Sequence, residues 1–173
     1  MKTLYSLFLS LSLLTISTYA QPDLSEVDFK IGHIAIDSSL NLALPELGKL
    51  IVKDSIEDEE VQGFNVYYFD GVTIWVEKKG NTISSFDISS SRYVTHRGLQ
   101  IGDPVSKLER LYGEAISEKE LNRIHDNYDT GFRNFTEIKI YEYRKSDNDV
   151  FYAIFYIKDS KVVKMYMYRG LGC

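Results

Sequence analysis

From Leu99 to Gly113 the chain reads "LQIGDPVSKLERLYG", and its apolar positions change period partway along. Leu99 and Ile101 flank Gln100, the alternation of an extended segment. Val105, Leu108, Leu111 and Tyr112 then recur at helical spacing on one face. Asp103 is placed to cap this helix with its carboxylate, Pro104 suits its first position, and Gly113 suits a left-handed C-cap. A phosphate-binding loop would need a run of glycines exposing successive N–H groups, and none is present. The stretch therefore predicts scaffold, not a site.

A similar pattern occurs earlier. "IAIDSSLNLALPELG", from Ile34 to Gly48, lies on the first stretch without a gap, pairing Ile36 with Ile101, Leu40 with Val105 and Gly48 with Gly113. Pro45 would break this copy or open its helix, because a proline inside a helix costs about 3 kcal/mol. Farther on, "WVEKKGNTISSFDI" from Trp75 resembles "FYIKDSKVVKMYMY" from Phe155, each reading as strand, polar turn and strand. The spacing between helix and hairpin differs, which assigns an insertion to residues 117–137. Within it, "SEKE" (Ser117–Glu120) has the form of a capping box opening a short extra helix. The expectation is an α+β domain over residues 21–173, made of two degenerate repeats at 31–92 and 93–173. Each repeat is a helix plus a β-hairpin, the two share an antiparallel sheet, and the helices pack on one face.

Strict alternation then sorts the strand residues. With Asp159-Ser160 as the turn, Tyr152, Ile154, Tyr156, Val163, Met165 and Met167 share an uncharged face, the candidate core. The opposite face carries Phe151, Ala153, Phe155, Ile157, Val162, Lys164, Tyr166 and Tyr168. With Lys79-Gly80 as the earlier turn, Ile74, Val76 and Ile83 point inward, while Thr73, Trp75, Glu77, Thr82, Ser84 and Phe86 point outward. The expected partner-binding face is thus Trp75, Phe86, Phe151, Phe155, Tyr166 and Tyr168, an aromatic strip of the kind that anchors protein interfaces. The competing reading is that this face too is covered, by residues 117–137 or 21–30, since monomers seldom leave large apolar patches open.

The ends of the chain set its expected compartment. "MKTLYSLFLSLSLLTISTYA" has an early lysine, an apolar middle and small residues at Thr18 and Ala20, the form of a signal peptide cleaved after Ala20. This places the protein in the periplasm or outside the cell. The serines in the run argue against a membrane anchor, and no other segment is apolar enough to span a bilayer. The formal charge is −5, and loss of Lys2 with the leader makes it more acidic, which disfavours binding to nucleic acid. Cys173 is the only cysteine. An internal disulfide is excluded, although Cys173 could pair with another chain.

"GLQIGDPVSKLERLYG" followed by a hairpin resembles the helix-then-strands module of exported bacterial proteins of the beta-lactamase-inhibitor-protein and SmpA/OmlA lipoprotein kind. The resemblance covers Thr95–Gly113 and, loosely, Val150–Tyr168. It implies a non-enzymatic fold whose members bind other proteins through a concave sheet. The chain departs from the lipoproteins in having no cysteine after the leader, and the 117–137 insertion is a further departure.

Catalytic chemistry finds little support. His33, His96 and His125 lie in separate segments without metal-ligand spacing, and no Gly-x-Ser-x-Gly elbow occurs. "DSIEDEE" (Asp54–Glu60) lacks the pattern of a calcium loop and reads as a solvated acidic loop. Asn134 heads a glycosylation-type triplet that arises often by chance. The expectation is a non-enzymatic protein-binding module of the bacterial envelope, without metal or cofactor. An inhibitor or immunity factor against a secreted or periplasmic enzyme fits it best. The alternatives are an outer-membrane assembly factor and a small hydrolase using His125 with Asp126, Asp129 and Glu137.

Overall fold

A computed structural model of the chain describes residues 24–56, 63–121, 138–145 and 151–170. A 3-10 turn (Glu26–Asp28) and a small sheet of β1 (Lys30–Ile31) and β2 (Ile34–Ala35) come first. Helix α1 (Leu40–Leu47) then leads into β3 (Leu50–Ile56), β4 (Phe64–Phe69), β5 (Val72–Glu77) and β6 (Thr82–Ile88). Helix α2 (Val105–Tyr112) leads into β7 (Ser117–Leu121), β8 (Ile138–Arg144), β9 (Phe151–Lys158) and β10 (Lys161–Arg169). These last eight strands form one antiparallel sheet in the order β3-β4-β5-β6-β10-β9-β8-β7.

The architecture expected from the sequence is therefore corrected. The fold is mainly β, and each helix precedes a four-stranded meander instead of a hairpin. Four strands, β3, β4, β7 and β8, lie beyond the two expected hairpins, and β3 and β7 are the edges of the sheet. β3 is an edge strand with every residue exposed, so its apolar Leu50, Ile51, Val52 and Ile56 follow no burial period. β7 holds the residues read as a capping box: Ser117–Leu121 pairs with β8 as a strand, and pairing overrides local helix chemistry. The assigned insertion thus begins in a strand, and residues 122–137 lie outside the described ones.

Alternation itself is interrupted in both central hairpins. In the first, Val76 pairs with Ile83 but Trp75 pairs with Ser85, leaving Ser84 as an extra residue in β6. Its hydroxyl donates to the Trp75 carbonyl at 3.1 Å. In the second, Val162 pairs with Ile157 but Lys164 pairs with Tyr156, leaving Val163 extra in β10. Each is a β-bulge, and a bulge reverses the facing of every residue beyond it relative to strict alternation. Phe86, Met165 and Met167 consequently join Ile74, Phe155 and Ala153 on one face, all of them buried.

That face is the core. Leu40, Ala43 and Leu47 of α1 and Leu108 and Tyr112 of α2 bury against it, together with Phe29, Ile31, Tyr93 and Leu99. Helix α1 continues through Pro45. The missing N–H costs one bond near the end of a short helix, and burial of Leu40 and Leu47 on either side offsets it. Helix α2 begins one residue later than its spacing suggests, with Pro104 at the cap. Asp103 serves a different purpose, accepting from the Gln100 N–H at 2.8 Å and from Lys107 Nζ at 2.7 Å.

Both helices end on a glycine with φ near +80°, Gly48 and Gly113, a conformation that side chains resist. Tyrosines tie down these ends. The Tyr93 hydroxyl donates to the Leu47 carbonyl and the Tyr143 hydroxyl to the Gly113 carbonyl, each at 3.1 Å.

The segment between β6 and α2 is held by charge. Arg97 meets Asp28 through two bonds of 2.6 and 2.7 Å and donates a third to the Leu111 carbonyl at 2.7 Å. Burial alone would raise the Asp28 carboxyl, but bonds from Arg97 and Ser25 outweigh it and hold the group below its ordinary 3.8. A depressed folded-state value stabilises the fold above the unfolded value, and the benefit is lost as pH falls through the folded one.

Arg97→Ala, which leaves Asp28 buried without its cation, is expected to cost about 3 kcal/mol in urea unfolding near neutral pH. The stability gap between the wild type and Asp28→Asn is expected to shrink as pH is lowered from about 6 to about 3. A gap that stays constant over that interval would show that the carboxylate contributes nothing.

Candidate functional site

The sheet face opposite the helices is built from the other half of each alternation. Register places Phe64, Val66 and Tyr68 of β4 beside Glu77, Trp75 and Thr73 of β5. Ser85 and Asp87 of β6 face Tyr168 and Tyr166 of β10, and Tyr168 faces Tyr152 of β9. Tyr156 of β9 and Ile140, Glu142 and Arg144 of β8 continue the same side. Among the described residues, Val66 and Ile138 are the buried apolar side chains that stand outside the core cluster, and by register both belong to this face.

The aromatic rings form a continuous chain. Tyr152 stacks on Tyr168 at 4.8 Å between centroids, Tyr168 stacks on Tyr166 at 5.1 Å, and Tyr166 meets Trp75 edge-on at 6.0 Å. These are the offset and T-shaped arrangements that ring quadrupoles favour. At the Trp75 end lies a cleft of about 160 Å³, walled by Phe64, Trp75, Tyr166 and Tyr168 with Glu77 and Arg169 at its polar side. Arg169 is anchored to Asp37 at 2.8 Å and reaches Glu77 at 3.4 Å.

Charge is also placed at the seam where β6 and β10 join. Lys164 Nζ lies 2.6 Å from Asp87 and 5.9 Å from the Tyr156 ring. Burial pushes the Asp87 carboxyl up, and Lys164 opposes the shift without reversing it. The face thus combines rings, hydroxyls and paired charges, a surface suited to contact.

Of the six residues expected to form a binding strip, the structure brings Trp75, Tyr166 and Tyr168 together, half-buried, on the face away from the helices. It places Phe86, Phe151 and Phe155 in the core, at 0%, 7% and 0% exposure. The bulges at Ser84 and Val163 account for this correction, since strict alternation joins Phe86 to Trp75 and Phe155 to Tyr166. They also return Tyr152, Ile154 and Tyr156, read as core, to the open side. Phe64, Val66, Tyr68, Tyr152, Tyr156 and Arg169 were not marked as site residues by the sequence. Lys164 already sets the facing of β10 in the sequence; the tyrosines of β9 are hidden by the bulge at Val163, which leaves no mark in composition.

Among the described residues no three His, Cys, Asp or Glu side chains gather to hold a metal. His33 and His96 are exposed in separate segments. His125, Asp126, Asp129, Asn134, Glu137 and Cys173 lie outside the described residues, as do the leader and most of the acidic loop. Also among the described residues, no helix is long and apolar enough to cross a membrane. No protein-family model, curated protein or solved structure matches the chain.

The two kinds of aromatic position are expected to respond differently to truncation. Phe86→Ala and Phe155→Ala should each cost about 3–5 kcal/mol by opening a core cavity. Tyr168→Ala, on the open face, should cost under about 1.5 kcal/mol. Chemical denaturation of the three variants distinguishes them, and equal losses would contradict the assigned facing.

Proposed function

We propose that the protein is an exported, non-enzymatic binding module that acts by holding another protein against the open face of its sheet. The observation that carries this reading is the four-ring chain Tyr152–Tyr168–Tyr166–Trp75 on the side away from both helices. Tyrosine and tryptophan offer large rigid contact area together with a polar tip, and they dominate interface energetics. The leader-like first twenty residues support export. The small acidic chain fits an inhibitor or immunity factor directed at a secreted or periplasmic enzyme.

The test is site-specific photo-crosslinking in the native cell. A benzophenone side chain at Tyr152 or Tyr168 is expected to capture a protein, and one at the exposed helix residue Glu109 is not. The double variant Trp75→Ala/Tyr168→Ala should bind the captured partner at least tenfold more weakly, as loss of interface anchors does, with its circular dichroism unchanged. Equal capture from Glu109, or full affinity in the double variant, refutes the proposal.

A further inference from the structure

Tyr168 is stacked on two rings at once, Tyr152 at 4.8 Å and 10° between planes and Tyr166 at 5.1 Å and 21°. Tyr152 stands directly opposite it on β9, so the closer and flatter contact crosses between strands. Trp75 extends the row beyond Tyr166 at 6.0 Å. Phenylalanine would stack equally well. What tyrosine adds is a phenol, and phenols and indoles are side chains that give up single electrons. Other oxidisable groups lie apart from this face, since Met165 and Met167 are fully buried in the core.

A phenol that loses one electron and its hydroxyl proton becomes a neutral phenoxyl radical, with the unpaired electron spread onto the ring carbons beside the C–O bond. The half-filled orbital stands perpendicular to the ring. Two such radicals stacked face to face therefore aim these orbitals at each other, as the parallel planes of Tyr152 and Tyr168 do. Coupling forms one carbon–carbon bond, and the hydrogen on each bonded carbon then moves to the neighbouring oxygen, restoring both rings. In balance, the pair gives two electrons to two equivalents of a one-electron oxidant and two protons to water. The ring contacts of 4.8 to 6.0 Å let an oxidising equivalent taken up anywhere along the row pass to the stack.

We infer that Tyr152 and Tyr168 form an oxidative modification site, at which a one-electron oxidant couples the two phenols into an intramolecular dityrosine bond between β9 and β10. The bond ties the strands covalently in a chain whose single cysteine allows no internal disulfide. It does not rest on the binding role proposed above.

The full chain is oxidised with photo-generated ruthenium(III) tris-bipyridine, each linked pair reducing two ruthenium(III) to ruthenium(II). Monomer isolated afterwards should show the blue emission of dityrosine and an intact mass lighter by two hydrogens. Trypsin cuts after Lys158 and Lys164, so Tyr152 and Tyr168 fall in separate peptides, and these two should be recovered joined. Tyr152→Phe and Tyr168→Phe should each lose the joined pair. Tyr68→Phe, at an exposed tyrosine of the same face, should keep it in full. Absence of dityrosine, dityrosine found only in dimers, a link between other tyrosines, or a joined pair that survives in Tyr152→Phe each overturns the inference.

Discussion

Side chains along a strand point alternately to its two faces, and one unpaired residue reverses that order for everything beyond it. Ser84 and Val163 are such residues, one in each of the strands that meet at the centre of the sheet. Because β6 and β10 are paired, their facing must agree: Phe86 is opposite Met167 and Ser85 opposite Tyr168. Without both bulges, large aromatics would be split between the faces in a different combination, and the core would lose Phe86 or Met165. The division of the sheet into a face packed on the helices and a face away from them depends on these two positions.

The sealed side is closed by more than apolar packing. Two helices of eight residues each are too short to be stable alone. Tyr93 and Tyr143 hold their C-terminal ends from separate parts of the chain, and Tyr112 packs against both Tyr143 and Phe155. Arg97 then joins the first turn of the described chain to the end of α2 through Asp28 and the Leu111 carbonyl. The Tyr112 hydroxyl is buried here beside Thr95, and burial raises its pKa strongly. Its ring fills the space beneath Arg97, 5.3 Å away.

What could be read in advance follows from how local each feature is. Helix α2 is visible because its period, its preceding proline and its closing glycine lie within ten residues. The inward facing of Ile74, Val76 and Ile83 is legible because these residues sit between the turn and the bulge, or on the strand that carries none. Phe86, Phe151 and Phe155 were misplaced because a bulge leaves no mark in composition: Ser84 and Val163 are ordinary strand residues. β3 is illegible for a different reason: every residue of this edge strand is exposed, so no burial period marks it and its pairing with β4 decides it. The open face was half legible, through Trp75, Tyr166 and Tyr168, while the tyrosines of β9 were hidden by the same reversal.

The face away from the helices mixes rings with hydroxyls and paired charge. A purely apolar sheet face of this width would drive self-association. Here the rings are mostly tyrosines, and the central seam carries Asp87 with Lys164. That pair adds little to stability, since burial already raises the Asp87 carboxyl against the attraction of Lys164. Its effect is to mark the face: the lysine cannot enter the core, so β10 can pair with β6 in one facing only. The same charge pair therefore fixes which side of the sheet the rings of β10 occupy.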